Sequence, residues 1–279
     1  MDFYVVIPAH NEEAFLSKTL QSLSTQTLLP KKIVVVNDHS TDGTQEIINA
    51  FKNNYPFISS VTIASEEKHE PGSKVINAFY SGLETLDHNY DVLCKFDADL
   101  IFPLNYLEKI AEHFLQNKNC GMAGGFCYIE KKGIWVEEGL TSKDHIRGAL
   151  KAYRKVCFEQ IDGLKKAMGW DTVDELLAKY HGWEVLTDAS LHVKHLKPTG
   201  ANYQQSSKLK QGQAFKRMRY GLLLTLVASL KLAIRKRSLR YFVNAIQGYF
   251  SKSNAYIVSE EEGKFIRKLR WRVIKKKIF

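Results

Sequence analysis

The 279-residue chain has no apolar run of the roughly twenty residues that a membrane-spanning helix requires. The nearest candidate, Tyr220 to Ala233, is about fourteen residues long and is interrupted by Lys231. Its four cysteines, Cys94, Cys120, Cys127 and Cys157, show no metal-ligand spacing. Reduced thiols and a cytosolic setting are the default expectation for such a set. There is no internal repeat and no low-complexity linker. The chain runs at once into a core strand, so no leader peptide is expected. The Gly-x-Gly-x-x-Gly turn of dinucleotide enzymes is missing too: Pro8-Ala9-His10-Asn11-Glu12 stands after the first strand, which argues against an oxidoreductase.

What is present begins with three apolar, β-rich runs that stop abruptly at polar residues. They are Phe3-Tyr4-Val5-Val6-Ile7 before Pro8, Ile33-Val34-Val35-Val36 before Asn37-Asp38, and Val92-Leu93-Cys94-Lys95-Phe96 before Asp97-Ala98-Asp99. Open α/β sheets keep their ligand sites at such strand ends. On an extended segment, positions two apart point to the same side. Asp97 and Asp99 therefore share one divalent cation, or divide a cation and a ribose hydroxyl between them, an arrangement that suits a nucleotide diphosphate. Asn11 reads either as a ligand or as the cap of a helix carrying Phe15, Leu16, Leu20 and Leu23. Asp38 through Thr44 reads either as a site or as a capped turn before Ile47, Ile48 and Phe51. Glu70 through Ala78 supplies a turn, the cation of Lys74 and a helix start, all useful near a pyrophosphate.

Taken together, Val5 to Glu12, Ile33 to Thr44, Lys74 to Gly82 and Phe96 to Asp99 resemble the motifs of a family 2 glycosyltransferase with the GT-A nucleotide-diphospho-sugar fold. The resemblance implies an α/β protein with an open mixed sheet flanked by helices. It implies transfer of a sugar, with inversion, from a UDP- or GDP-sugar to a glycan or lipid-linked acceptor, aided by Mg²⁺ or Mn²⁺. Pro8, Ala9, Asn11 and Glu12 then shape the base and ribose pocket, Asp38 accepts a hydrogen bond from the base, and Lys74 serves the diphosphate. Asp97, Ala98 and Asp99 complete the donor site, with Asp99 the better metal ligand. Counting back from Gly182 by the family spacing gives Asp171 as general base, with Trp170 where that family has glutamate. Trp170 is then free to stack on a sugar face, and Asp174 is the rival base. Val173, Leu176 and Leu177 mark the helix that carries both acids. The same spacing favours His195 as a further metal ligand. It lies on a strand from Ala189 in which His192 and His195 are read as facing one side, opposite Leu191 and Val193. A noncatalytic nucleotide-binding or membrane-adapter protein on the same scaffold is the alternative.

The expected organisation is a catalytic domain over 1–205, with a nucleotide half to 100 and an acceptor half beyond it, followed by a helical tail over 206–279. In the acceptor half, Cys127 to Trp135 is expected to form a hairpin, and Lys143 to Gly163 a helix that closes over the donor. Charge divides the chain at the same place. From Lys208 onward there are nineteen basic and three acidic residues, whereas residues 1–207 hold 21 basic and 27 acidic ones. Tyr220 to Ala233 and Tyr241 to Phe250 read as basic amphipathic helices. They suit either the surface of an anionic membrane, which would make the protein peripheral at the inner membrane face, or packing on the catalytic domain or a second subunit. Nothing resembles a nucleic-acid module.

Overall fold

A computed structural model describes residues 1–64, 72–139, 142–197, 209–252 and 255–278. Glu70 and Pro71 of the diphosphate turn, and the domain boundary expected at 205, lie outside the described residues. The apolar runs form β1 (Phe3–Ala9), β2 (Lys32–Asp38) and β4 (Val92–Phe96), with β3 (Ile58–Ile63) at the sheet edge. Strands covered on both faces need no alternation, and β1, β2 and β4 are buried almost throughout. Their helical connections are α1 (Leu16–Ser24), α2 (Thr44–Asn54) and α3 (Ser73–Leu83).

The four strands run parallel in the order β3-β2-β1-β4. The chain therefore winds one way from β1 through β2 to β3, then returns to the other side of β1 as β4. That reversal opens a crevice at the carboxyl ends of β1 and β4, the usual ligand position in such sheets. Beyond β4 the sheet becomes mixed. It continues through β8 (Leu150–Arg154), β6 (Cys120–Lys131), β9 (Glu184–His195) and the two-residue β5 (Leu100–Ile101), while β7 (Ile134–Glu137) pairs with β6. The β6–β7 hairpin turns at Lys132 and Gly133, both at positive φ, as a two-residue loop between right-twisting strands requires.

Two expectations fail here. Lys143 to Gly163 is not one helix: turns lead into β8, and only α5 (Lys155–Gln160) is helical. β8 fills the place between β4 and β6, and Leu150, Lys151, Ala152 and Tyr153 are all buried. A central strand with a lysine in it carries no period-2 signature, which is why it passes for part of a helix. The first helix also begins later than expected, at Leu16, and Asn11 lies before it in the left-handed region at φ 54°.

Two further helices complete the body, α4 (Tyr106–Gln116) and α6 (Trp170–Tyr180). The basic segment forms α7 (Lys210–Arg217), α8 (Gly221–Arg235), α9 (Leu239–Phe250) and α10 (Glu260–Ile278). α10 lies against α6, with Phe265 edge-on to Tyr180 at 5.5 Å between ring centroids. α7 and α9 approach through glycines: a Cβ on Gly248 would stand 1.9 Å from the Leu209 carbonyl, and one on Gly212 1.8 Å from that of Ala245. Gly248→Ala is expected to destabilise the protein by about 1–3 kcal/mol, as overpacking of a close contact does. A urea melt compared with that of the unaltered chain measures the difference.

Candidate active site

A cavity of about 740 Å³ opens at the ends of β1, β2 and β4. Its walls include Pro8 and Ala9 at the end of β1 and Glu12 beyond it, Asp38 at the end of β2 and His39 beyond it, Lys74 on the first turn of α3, and Asp97, Ala98 and Asp99 after β4. Asn11 does not line it. Its side-chain oxygen accepts the Thr41 backbone N–H at 2.8 Å, and its own N–H donates to Ser40 Oγ at 3.0 Å. Glu12 N–H donates to Thr44 Oγ1 at 2.9 Å, and the Gly43 N–H to Glu13 Oε2 at 3.1 Å. Asn11 thus clasps the loop after β1 to the loop after β2 and fixes one rim of the cavity. His10 adds to the clasp, its Nδ1–H donating to the Asp38 carbonyl at 2.6 Å.

Glu12 has one oxygen paired with Lys197 at 3.1 Å, and the other, Oε2, is buried with no partner among the described residues. A buried acceptor in this state has room for one more hydrogen-bond donor at the cavity wall. Burial raises its pKa against the pull of Lys197. At the opposite rim, Gly72 has φ 83° and lies so near the Ala167 carbonyl that a Cβ would stand 2.6 Å away. Only glycine starts α3 at this distance and with this φ, and α3 in turn presents Lys74 to the cavity.

Asp97 and Asp99 diverge. Asp97 is paired with Lys95, a lysine buried in β4, while Asp99 turns toward His195, with Oδ2 3.3 Å from Nε2. Sheet pairing produces that second contact: β5 follows Asp99 directly, and its Leu100 lies opposite His195 in antiparallel register. The Nδ1 of His195 meets Glu138 Oε2 at 3.0 Å, and Arg147 pairs with the same carboxylate. Burial opposes a charged imidazole, yet Asp99 and Glu138 hold the His195 pKa up at about 9. Cys127 Sγ, a Glu138 oxygen and a His195 ring nitrogen all lie within 4.8 Å of one another. Burial pushes the Cys127 thiol up to about 12, so it stays neutral. His195 points to the same side as Leu191 and Val193, not with His192, which is exposed and stands 4.2 Å from the Tyr128 ring. Residues three apart on a strand face opposite ways, and the expected pairing of the histidines is corrected accordingly.

On the other side of β4 stands α6. Trp170 is only 7% exposed, with the ammonium groups of Lys95 and Lys151 at 5.3 and 5.9 Å from its ring. It offers no face for sugar stacking: it packs over two buried cations. Asp174 is fully buried, receives Lys151 Nζ at 2.8 and 2.9 Å and the Tyr153 hydroxyl at 2.6 Å, and is pushed by burial up to about 6. Lys151 also reaches Glu175 at 3.2 Å and the Asp171 carbonyl. Asp171 is different, for its side chain keeps 35% of its surface exposed. Burial raises its pKa, but His145 and Lys151 outweigh that effect and hold it below the ordinary carboxylate value. Lys151, His145 and Glu175 carry no signal at short range in the sequence, because their partners lie twenty or more residues away, and Glu138 and Arg147 pair across a connection with no regular period.

Comparison with known proteins bears on the family and the fold. The model of the glycosyl transferase family 2 matches residues 4–160, more than half of the chain. The probable glycosyltransferase YdaM of Bacillus subtilis is 36% identical over 114 residues, covering 40% of this chain and 24% of YdaM. The chain thus spans about a quarter of that relative's length. The mannosyltransferase PcManGT of Pyrobaculum calidifontis, solved with GDP-Man and Mn²⁺, aligns at a TM-score of 0.58 and 16% identity over 98% of this chain and 80% of that one. Staphylococcus aureus TarS residues 1–349, solved with UDP-GlcNAc, aligns at 0.57 and 16% over 95% and 78%. The fold is that of the GT-A glycosyltransferases. Within that class the chain belongs to glycosyl transferase family 2.

The Lys151 network yields an expectation for stability. Lys151→Met leaves Asp174 buried without its cation and is expected to cost about 3–5 kcal/mol, as breaking a buried pair does. Lys151→Met combined with Asp174→Leu should recover most of that loss in urea unfolding.

Proposed function

We propose that the protein transfers a sugar, with inversion, from a UDP- or GDP-sugar to the hydroxyl of a glycan or lipid-linked acceptor. The observation that carries this reading is Lys95, which pairs with Asp97 at the cavity and lies over Trp170, the residue before Asp171. The donor cavity and the partly exposed Asp171 carboxylate are thereby linked through Lys95 and Trp170. PcManGT was solved with a guanosine donor and TarS with a uridine donor, so both nucleobases stay in the proposal.

In this reading Pro8, Ala9 and Glu12 enclose the nucleoside, with the unpaired Glu12 oxygen taking a hydroxyl or amine hydrogen. Asp38 serves the base, Asp97 the ribose, and Lys74 at the start of α3 the diphosphate. Ala98 keeps the turn between the two aspartates close to the donor, and Asn11 acts through the clasp that shapes the rim. Asp99 and His195 fit a divalent cation: a carboxylate oxygen and an imidazole nitrogen already converge beside the cavity. Mn²⁺ suits this mixed set better than Mg²⁺, and when bound such a cation neutralises charge on the leaving diphosphate. Asp171 takes the proton of the acceptor hydroxyl as its oxygen forms a bond to the anomeric carbon. The bond from that carbon to the phosphate oxygen breaks on the opposite face, and its electron pair stays with the nucleoside diphosphate. Asp174 has no exposed surface from which to serve in that role.

One comparison tests both halves. Asp99→Ala is expected to abolish transfer and the metal dependence of nucleotide binding measured by calorimetry. Asp171→Asn should keep binding near normal while turnover falls by roughly 10²–10⁴-fold, the usual contribution of a general base. Full activity in either variant refutes the role given to that residue.

The helical segment after 209, which packs on the catalytic body through α10, is proposed to hold the enzyme at an anionic membrane. Among the described residues no helix is long and apolar enough to cross a membrane. α8, however, is apolar on two sides. Leu224 and Ala233 face inward, while Leu223, Val227, Leu230 and Ile234 form an exposed stripe at helical spacing, with Leu223 and Ile234 each 70% exposed. Leu239, Val243 and Phe250 extend the exposed apolar surface onto α9, with Lys236, Arg237 and Arg240 beside it. Apolar surface edged by cations fits an interface of anionic headgroups. The intact protein should sediment with phosphatidylglycerol vesicles, less so as salt rises. Leu223→Asp with Ile234→Asp should remove binding and leave nucleotide affinity intact. An intact protein that ignores the vesicles, or that elutes as a dimer dispersed by these substitutions, assigns the face to a second copy instead.

A further inference from the structure

His145 stands in the connection between β7 and β8, with its side chain only 12% exposed. Its Nδ1 lies 3.0 Å from Glu175 Oε1, and its Nε2 lies 3.6 Å from Asp171 Oδ2. Glu175 is itself fixed: the same oxygen accepts the Ile146 backbone N–H at 2.9 Å and lies 3.2 Å from Lys151 Nζ. The ring is therefore held from one side by a pinned carboxylate and presents its other nitrogen to Asp171. Of the three groups, Asp171 alone opens to solvent, at 35% against 12% for His145 and 7% for Glu175.

We propose that His145, anchored by Glu175, is the positioning residue for Asp171: it engages one carboxylate oxygen, fixes the side-chain orientation, and leaves the other oxygen for the acceptor hydroxyl. The inference rests on the reading of Asp171 as the base. A carboxylate on the first turn of a helix is otherwise free to rotate toward solvent, and catalysis by proton transfer depends on a fixed approach. The charges facing His145 support the role. Asp171 and Glu175 approach from α6, with the opposing cation of Lys151 behind Glu175 on β8. Glu137 and Glu138 at the end of β7, Arg147 on its own connection and Cys127 on β6 share its small cavity. Burial disfavours the charged ring, but Asp171 and Glu175 hold its pKa at about 9, so at neutral pH it is a cation. That cation also keeps Asp171 ionised as the pH falls.

The test uses the full chain with His145→Gln. Nucleotide-diphosphate affinity by calorimetry should stay within about twofold. The turnover rate should fall by roughly tenfold or more, a part of the full general-base contribution. The acid limb of its pH profile should move up by about one unit as Asp171 loses its neighbouring charge. Unchanged turnover and an unchanged acid limb overturn the proposal, and so does a loss of nucleotide affinity that parallels the loss of rate. A second measurement does not depend on that variant folding. In histidine-labelled protein followed by NMR, two imidazoles, those of His145 and His195, should stay protonated to about pH 9, and one of them, that of His145, should titrate lower in Asp171→Asn. If no imidazole responds to Asp171→Asn, the contact is absent in solution and the proposal fails. Failure of the base assignment looks different, since Asp171→Asn would then retain its turnover whatever His145 does.

Discussion

The ammonium of Lys151 is the fixed point around which the acceptor side of this molecule is built. It is fully buried in β8, a strand inserted between β4 and β6, and is surrounded by Asp174, Glu175 and the Asp171 carbonyl. A buried cation is costly unless it is paired and hydrogen-bonded, so the first turns of α6 have little freedom to move away. That constraint sets the other positions. Trp170 is pressed over Lys95 and Lys151, Asp174 is turned inward, and Asp171 is left at the surface. The tryptophan thus works as a spacer between two lysines, one serving the donor cavity and the other the helix.

A similar economy operates around His195. His195 is brought to Asp99 by strand pairing, and its second nitrogen is held by a carboxylate that Arg147 holds in turn. Imidazole ligands of metals are commonly oriented in this way through the ring nitrogen that does not bind. Glu138, His145 and Arg147 all belong to the stretch between β7 and β8, so one connection supports both the donor end and the acceptor end of the site. The cost is a concentration of buried charge in a small volume, and fold stability there depends on every member finding its partner.

The C-terminal helices divide their apolar residues between two tasks. Phe215, Tyr220, Leu224, Val258 and Ile266 join the main core, and α10 meets α6 through Phe265 and Tyr180. The outer stripe of α8 is left to solvent. The packing reading and the surface reading of this segment are therefore compatible, since opposite faces of one helix serve them.

Sequence alone determined the nucleotide half. Its strands are short apolar runs ended by polar residues, and the positions that matter sit immediately after them, so local pattern and site coincide. Pro8, Glu12, Asp38, Asp97 and Asp99 are legible as cavity-lining residues for that reason, Lys74 by its place at a helix start, and the carboxylates of Asp97 and Asp99 by their spacing. The acceptor half was legible only in part. The family spacing points to Asp171, whereas β8 reads as helix because a central strand buried on both faces has no alternation to read. The side of β9 on which His195 lies, the burial of Trp170, and the partners of Lys151, Glu138 and His145 were decided by tertiary structure. These depend on contacts between residues far apart in the chain, and a buried charge reveals its meaning only when the groups that neutralise it have been brought beside it.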